Sequence, residues 1–191
     1  MASGQEIVRI IAYLMVCGAM VGVEVWLKPP ASPEAGPAAR MTDQAMVLGT
    51  ALALLAGVMS PACGIGRLSL GWSGLLIGVV CGCAGIALRA FAMHSLGRLY
   101  TLTPVAEHGQ AIVSSGPYRF IRHPGYVGIL LSLLGLQLIA GTWIALCSLL
   151  AVVLPLPLRI RIEEQLLRRQ VGVPYQEYER LTPHRLIPGI Y

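Results

Sequence analysis

Apolar residues run along this chain in blocks longer than the core elements of a soluble domain, broken by short polar or Pro-rich intervals. A helix needs about 20 residues to cross a hydrocarbon core. Five blocks approach that length, at 7–27, 45–60, 72–93, 125–140 and 142–158. The first lacks a secretory cleavage pattern and reads as a retained membrane helix with Glu24 near one end. The Pro-rich stretch KPPASPEAGPAARMTD at 28–43 predicts a linker that interrupts any helix, and Pro61 predicts the end of the second block. In the third block Arg89 lies near enough to the end to snorkel. Only Gly141 separates the last two, which predicts a tight antiparallel hairpin, with Pro155 and Pro157 kinking its second arm.

Composition agrees with the pattern. The 191 residues are 55% hydrophobic and 12% charged, against about 25% charged in an ordinary soluble domain, and mean hydropathy is +0.70. So little charge cannot cover a globule in water, and the expected class is an all-α integral membrane protein with about five transmembrane helices. Three of these lie in a first unit at 1–93 with its 28–43 linker. A second unit at 94–191 holds a polar loop, the helical hairpin 125–158 and C-terminal cytoplasmic helices.

The net charge of +5 comes from basic residues beside apolar blocks, which fits the flanks of membrane helices and gives no reason to expect nucleic acid. Five spans put the chain ends on opposite sides. One side then holds Lys28 and ten arginines (40, 98, 119, 122, 159, 161, 168, 169, 180 and 185), and the other only Arg9 and Arg67. By the positive-inside rule the C-terminus and the 94–122 loop face the cytoplasm. The five cysteines sit mostly in apolar runs without a CxxC pair, so no metal framework is expected. Glycines at 74, 78 and 82 recur every four residues and predict close helix packing in lipid.

Chemistry concentrates after the third block. YTLTPV and AIVSS flank AEHGQ and predict a short extended hairpin under the membrane, followed by a turn at SSGPY. In GPYRFIRHPGYVGILL, at 116–131, Pro124 suits a helix start and disfavours helical geometry at His123. His123 is then held at a helix N-terminus, which favours an anion. Plain interface anchoring by Arg119 and Arg122 explains the same charges equally well. In LRIRIEEQLLRRQ, at 158–170, Arg159 and Glu163 share one helix face, and Arg161 and Glu164 another. The hairpin should bring His123, Tyr126, Arg159 and Glu163 to one cavity, and ionisable groups at a membrane edge are costly unless paired or used. Beyond them Gly172 suits a helix cap and Pro174 a new helix start. Tyr175 and Tyr178 mark a short amphipathic helix, either packed over that cavity or anchored on the membrane surface.

Taken together, GPYRFIRHPGYVG, then RIRIEEQLL, then GVPYQEYERLTPHRLIPGIY resemble the isoprenylcysteine carboxyl methyltransferase family in a bacterial-type form. The resemblance spans roughly 96–191. It implies a helical membrane enzyme that methylates with S-adenosylmethionine, bound at a cytoplasmic loop. Carried over by position, Gln110, Ala111, Ile112 and Val113 would line the adenosine, mostly through backbone atoms, with Glu107 matching a polar residue ahead of them. Gln110-Ala111 departs from the basic or polar pair more typical there. Tyr118, His123, Pro124, Gly125 and Tyr126 would hold the cofactor further, and Glu163 would complete its site. Arg159 would be the catalytic residue that meets the acceptor. No metal is implied.

The implied partner is a lipophilic or prenylated molecule entering from the bilayer, within a bacterial inner (plasma) membrane and with the active site facing the cytoplasm. Methyl transfer to a carboxylate needs no general base, only alignment and exclusion of water. Phospholipid or phenolic-lipid acceptors are alternatives and would need a base. An NADPH-dependent sterol-reductase-like enzyme is another, against which no basic cluster dedicated to a 2′-phosphate is visible. A non-enzymatic membrane subunit is the reading outside enzymology.

Overall fold

A computed structural model describes residues 4–27, 36–97 and 112–189. Among these residues the chain is all helical: α1 (Gly4–Trp26), α2 (Pro37–Ala62), α3 (Gly71–Leu96), α4 (Pro124–Ala140), α5 (Trp143–Ser148), α6 (Leu150–Val153), α7 (Leu156–Gln170) and α8 (Val173–Leu181). A 3-10 turn, Gly116–Arg119, precedes α4. Among the described residues, four helical stretches are long and apolar enough to cross a membrane: α1, α2, α3 and the continuous run Trp143–Gln170. The α4 helix is apolar but shorter, at 17 residues.

The helix α4 forms the centre of the core. Leu133, Leu136 and Ile139 are fully buried and pack with Tyr13, Val16 and Met20 of α1, Ala53 of α2, Leu75 of α3 and Val152 of α6. The outer faces of α1, α2 and α3 instead expose Ile11, Leu14, Leu52, Leu55, Leu76 and Ile77. Apolar surface this continuous is rare on a monomer in water and natural against lipid. The glycine pattern of α3 meets a matching one on α4. A Cβ on Gly135 would lie 2.3 Å from Gly82 N, and one on Gly85 would lie 2.3 Å from Ser132 N, so the two backbones touch. Polar groups in this core bridge helices, as where Gln137 Nε2 donates to the Ala53 carbonyl (3.0 Å) and Tyr13 Oη to that of Leu54 (3.0 Å).

One end of the bundle is stitched by short connections. Leu68 N–H donates to the Gly141 carbonyl (2.8 Å), and Trp143 N–H to that of Gly66 (2.9 Å). Ser60 and Thr142 hydroxyls bond at 2.6 Å. Arg9 caps the Ile139 and Gly71 carbonyls (2.7 and 2.6 Å), and Arg67 pairs with Glu6. The tight turn requires Gly141, which takes a φ of +67°.

Several expectations need correction. The 28–43 stretch does not exclude helix throughout: α2 starts inside it at Pro37, because proline suits a first helical turn whose N–H would be unpaired anyway. Pro61 does not stop α2, which ends one residue later at Ala62, close enough to the terminus for a proline to be tolerated. The last apolar block is a helical run interrupted at Leu149 and at Leu154–Pro155 with the backbone still right-handed helical there, in keeping with the kink expected near Pro155, and it does not end at Leu158 but runs on to Gln170. Arg89 does not simply snorkel: its guanidinium meets Glu24 at 2.8 Å, tying α3 to α1. Of the expected extended hairpin, 98–111 lies outside the described residues, and 112–115 forms no strand.

Candidate functional site

The opposite end of the bundle holds the chemistry. Gly116, at a φ of +60°, opens the 3-10 turn, and His123 then sits as the N-cap of α4 with Pro124 in its first turn. This junction is pinned by the segment after α8. Arg122 N–H donates to the His184 carbonyl and His123 N–H to that of Arg185, both at 2.9 Å. Tyr178 Oη donates to the Tyr118 carbonyl at 2.8 Å. The α8 helix and the segment after it therefore pack on the 116–123 segment. Burial pushes the Tyr175 hydroxyl up, and that of Tyr178 up to about 12, so both stay neutral in this contact.

Two polar clusters adjoin the junction. In the first, Tyr126 Oη donates to Glu163 Oε2 (2.7 Å) and accepts from Arg159 Nε (3.0 Å). The other arms of Arg159 reach α2: Nη2 lies 2.9 Å from Asp43 Oδ1, and Nη1 contacts the Ala39 carbonyl at 3.5 Å. The His123 and Tyr126 rings lie 5.7 Å apart, tilted by 30°. The expected quartet of His123, Tyr126, Arg159 and Glu163 is thus brought together, with α7 supplying the last two from one face.

In the second, Glu164 is almost wholly buried among Arg122 (2.9 Å), Arg185 (2.8 Å), His123 Nε2 (3.4 Å) and Arg168 (3.7 Å). Glu179 of α8 joins it through Arg122 (2.5 Å) and Arg168 (2.7 Å). The Arg161–Glu164 pairing expected from spacing does not form, since Glu164 turns inward while Arg161 is exposed.

The remaining expected positions are placed unevenly. Gln110 and Ala111 lie outside the described residues, as does Glu107. Ile112 and Val113 are half-buried in the segment entering the turn, and Tyr118 is buried. Pro124 and Gly125 are buried in the first turn of α4, where a Cβ on Gly125 would lie 2.7 Å from Arg89 Nη1. Sequence reasoning missed Asp43, Arg122's pairing role, the buried place of Glu164 and Arg185's part in the cluster. The adjacent Glu163-Glu164 pair was a signal for the third, since helical geometry must turn the two to different faces.

The donor set fits a cofactor with a zwitterionic amino-acid end. Glu163 Oε1 stands 3.9 Å from His123 Nδ1, outside hydrogen-bond range, and keeps lone pairs for an ammonium group. Arg122 Nε is a buried donor without a hydrogen-bond partner among the described residues, suited to a carboxylate.

With four helical stretches long and apolar enough to cross a membrane among the described residues, and this charged cluster at one end of the bundle, the class is an all-α integral membrane protein. Residues 76–169, just under half the chain, match the family model of the "Isoprenylcysteine carboxyl methyltransferase (ICMT) family". This segment, which runs from α3 through the Arg159–Glu164 stretch of α7, is similar to that family.

Among curated relatives, the chain is 29% identical over 104 residues to a "Protein-S-isoprenylcysteine O-methyltransferase" of Schizosaccharomyces pombe, covering 53% of this chain and 44% of that protein. A "Probable protein-S-isoprenylcysteine O-methyltransferase" of Oryza sativa subsp. indica is 33% identical over 128 residues, covering 62% of this chain and 63% of the relative. The "Uncharacterized protein YpbQ" of Bacillus subtilis is 31% identical over 83 residues, 42% of this chain and 49% of the relative. The chain thus spans less than two thirds of the length of each of these relatives.

Proposed function

We propose that this chain is a membrane methyltransferase that uses S-adenosylmethionine to methylate a lipophilic acceptor, with carboxyl O-methylation of an isoprenylcysteine-like molecule as its reaction. The observation that carries the reading is the Tyr126–Arg159–Glu163 hydrogen-bonded array beside His123, inside the family-matched segment. The relatives' names supply the acceptor class. In this reading five helical passes, α4 among them, cross a bacterial plasma membrane, and the 116–126 junction faces the cytoplasm, as the arginine distribution requires.

The cofactor would be held by His123, Pro124, Gly125, Tyr126 and Glu163, with Ile112, Val113 and Tyr118 towards its adenosine end, and would supply a methyl group on a sulfonium sulfur. Arg159 would orient the acceptor through its planar fork, which Lys could not reproduce. Tyr126 holds Nε of that guanidinium, and Glu163 holds Tyr126, so the fork is preorganised. An ionised carboxylate needs no base. The polar reactant would enter from the cytoplasm and the apolar tail from between the helices.

A second reading keeps the enzyme and changes the acceptor to a phenolic-lipid hydroxyl or a phospholipid amine. Its support is that two carboxylates, Asp43 and Glu163, adjoin Arg159 and Tyr126 and would take up the proton.

The test is calorimetry with S-adenosylmethionine on the purified chain, NADPH serving as the competing ligand, followed by a methylation screen of prenylcysteine, phenolic lipid and phospholipid. His123→Ala and Glu163→Ala are expected to lose cofactor binding while folding normally. Arg159→Ala is expected to keep cofactor and lose transfer. NADPH binding in place of S-adenosylmethionine, or parent-like cofactor binding by His123→Ala and Glu163→Ala, would refute the assignment.

A further inference from the structure

Arg159 is the best-placed acceptor-binding group, yet its guanidinium is already engaged. Nε is bonded to Tyr126, Nη1 faces the Ala39 carbonyl, and Nη2 meets the Asp43 carboxylate at 2.9 Å. An incoming carboxylate finds no unoccupied fork. Formal charge says the same: with Asp43 and Glu163 both ionised against Arg159, a third carboxylate would raise the local charge to −2, counting these three side chains and the acceptor. Like charges at hydrogen-bond range repel strongly where water is scarce.

The two carboxylates are not equivalent. Glu163 bonds Tyr126 and lies on the helix that carries Arg159, so it stays. Asp43 comes from α2, with a side chain 33% exposed, whereas the side chain of Arg159 is only 4% exposed. Asp43 can therefore turn into solvent at small cost, and Arg159 cannot follow it. Asp43 also lies outside the family-matched segment 76–169, so it is a feature of this chain's N-terminal half.

We infer that Asp43 is a specificity-determining stand-in for the acceptor's carboxylate: it holds and neutralises Arg159 in the resting site and is displaced when a carboxylate-bearing acceptor binds. The inference rests on the reading that Arg159 receives the acceptor. It adds that the chain's preference for acid over neutral lipids is set by competition with a residue of α2. The exchange makes and breaks no covalent bond; one carboxylate replaces another at Nη2 of Arg159, and Asp43 regains water.

The experiment uses the intact chain in lipid nanodiscs with N-acetyl-S-farnesylcysteine and its methyl ester, which share a tail and differ in charge. Binding of each is measured for the parent, Asp43→Asn and Asp43→Ala, together with kcat and KM for the acid. Asp43→Asn, nearly isosteric, is expected to tighten the acid about tenfold relative to the ester, in keeping with the loss of one competing charged hydrogen bond. KM for the acid should fall by a similar factor with kcat little changed. Asp43→Ala is expected to do the same, which removes any dependence on how asparagine bonds.

An unchanged acid-to-ester ratio in both variants overturns the inference, and intact methylation of the acid would then leave the proposed function standing. A collapse of kcat at constant KM also overturns it, because Asp43 would then be a proton acceptor. A risen ratio without methylation of the acid sustains the inference and removes isoprenylcysteine as the reacting acceptor.

Discussion

Replacing Glu164 with alanine would remove the carboxylate shared by three guanidinium groups and an imidazole, and the cost can be apportioned by burial. Arg168 and Arg185 have side chains 42% and 27% exposed, so both can recover solvation when their partner is lost. Arg122, at 8%, cannot. Breaking a buried ion pair and leaving one charge behind costs about 3–5 kcal/mol. Arg122 retains Glu179 at 2.5 Å and the Pro183 carbonyl at 3.1 Å, which places Glu164→Ala at the lower bound, about 3 kcal/mol. Glu164→Gln keeps volume and part of the hydrogen bonding and should cost roughly 1–2 kcal/mol. Arg185→Ala, losing a partly solvated partner, should cost about 1 kcal/mol.

The assay reads the junction directly. Arg122 and His123 N–H donate to carbonyls of the segment after α8. Their hydrogen exchange reports its undocking, and about 3 kcal/mol corresponds to exchange roughly a hundredfold faster. Exchange in Glu164→Ala within about threefold of the parent, or no faster than in Arg185→Ala, would refute the view that a buried Arg122 charge sets this cost.

Other consequences follow from the helix contacts. Gly135→Ala pushes a methyl against the Gly82 backbone, where a Cβ would lie 2.3 Å from its nitrogen. It should lower stability by about 2–3 kcal/mol in thermal unfolding. Gly18→Ala, which meets nothing within 4 Å, should be neutral or slightly stabilising. Tyr126→Phe deletes the hydroxyl joining Arg159 to Glu163. Initial rates should fall about tenfold as two charge-linked hydrogen bonds vanish, with the melting temperature little changed; an unaltered rate would remove Tyr126 from the site.

Much of this organisation was legible in the chain because its signals are local. Apolar block length located the helices, glycines at four-residue spacing signalled close packing by α3 without naming its partner, and Arg159 and Glu163 at i, i+4 located the face meeting Tyr126. Boundaries were less legible where proline acts by position: Pro37 starts a helix and Pro61 is tolerated near the end of one. Asp43 left no trace because its partner lies on a distant helix, and neither residue's neighbours encode that meeting. The Glu164 cluster escaped for a similar reason. Its cations come from the 116–123 segment, from α7 and from beyond α8, and only packing assembles them.

The stitched far end of the bundle has a mechanical meaning. There α2 is fastened to the turn between α4 and α5 by the Ser60–Thr142 bond, backed by paired loops. At the other end it meets α7 through Asp43 and Ala39. Between the two, Gln137 and Tyr13 bond to the Ala53 and Leu54 carbonyls, so α2 is held along its length. A single helix outside the family-matched segment thus ties the loop end of the bundle to the guanidinium of Arg159, and substitutions along α2 are felt at that side chain through the helix's placement.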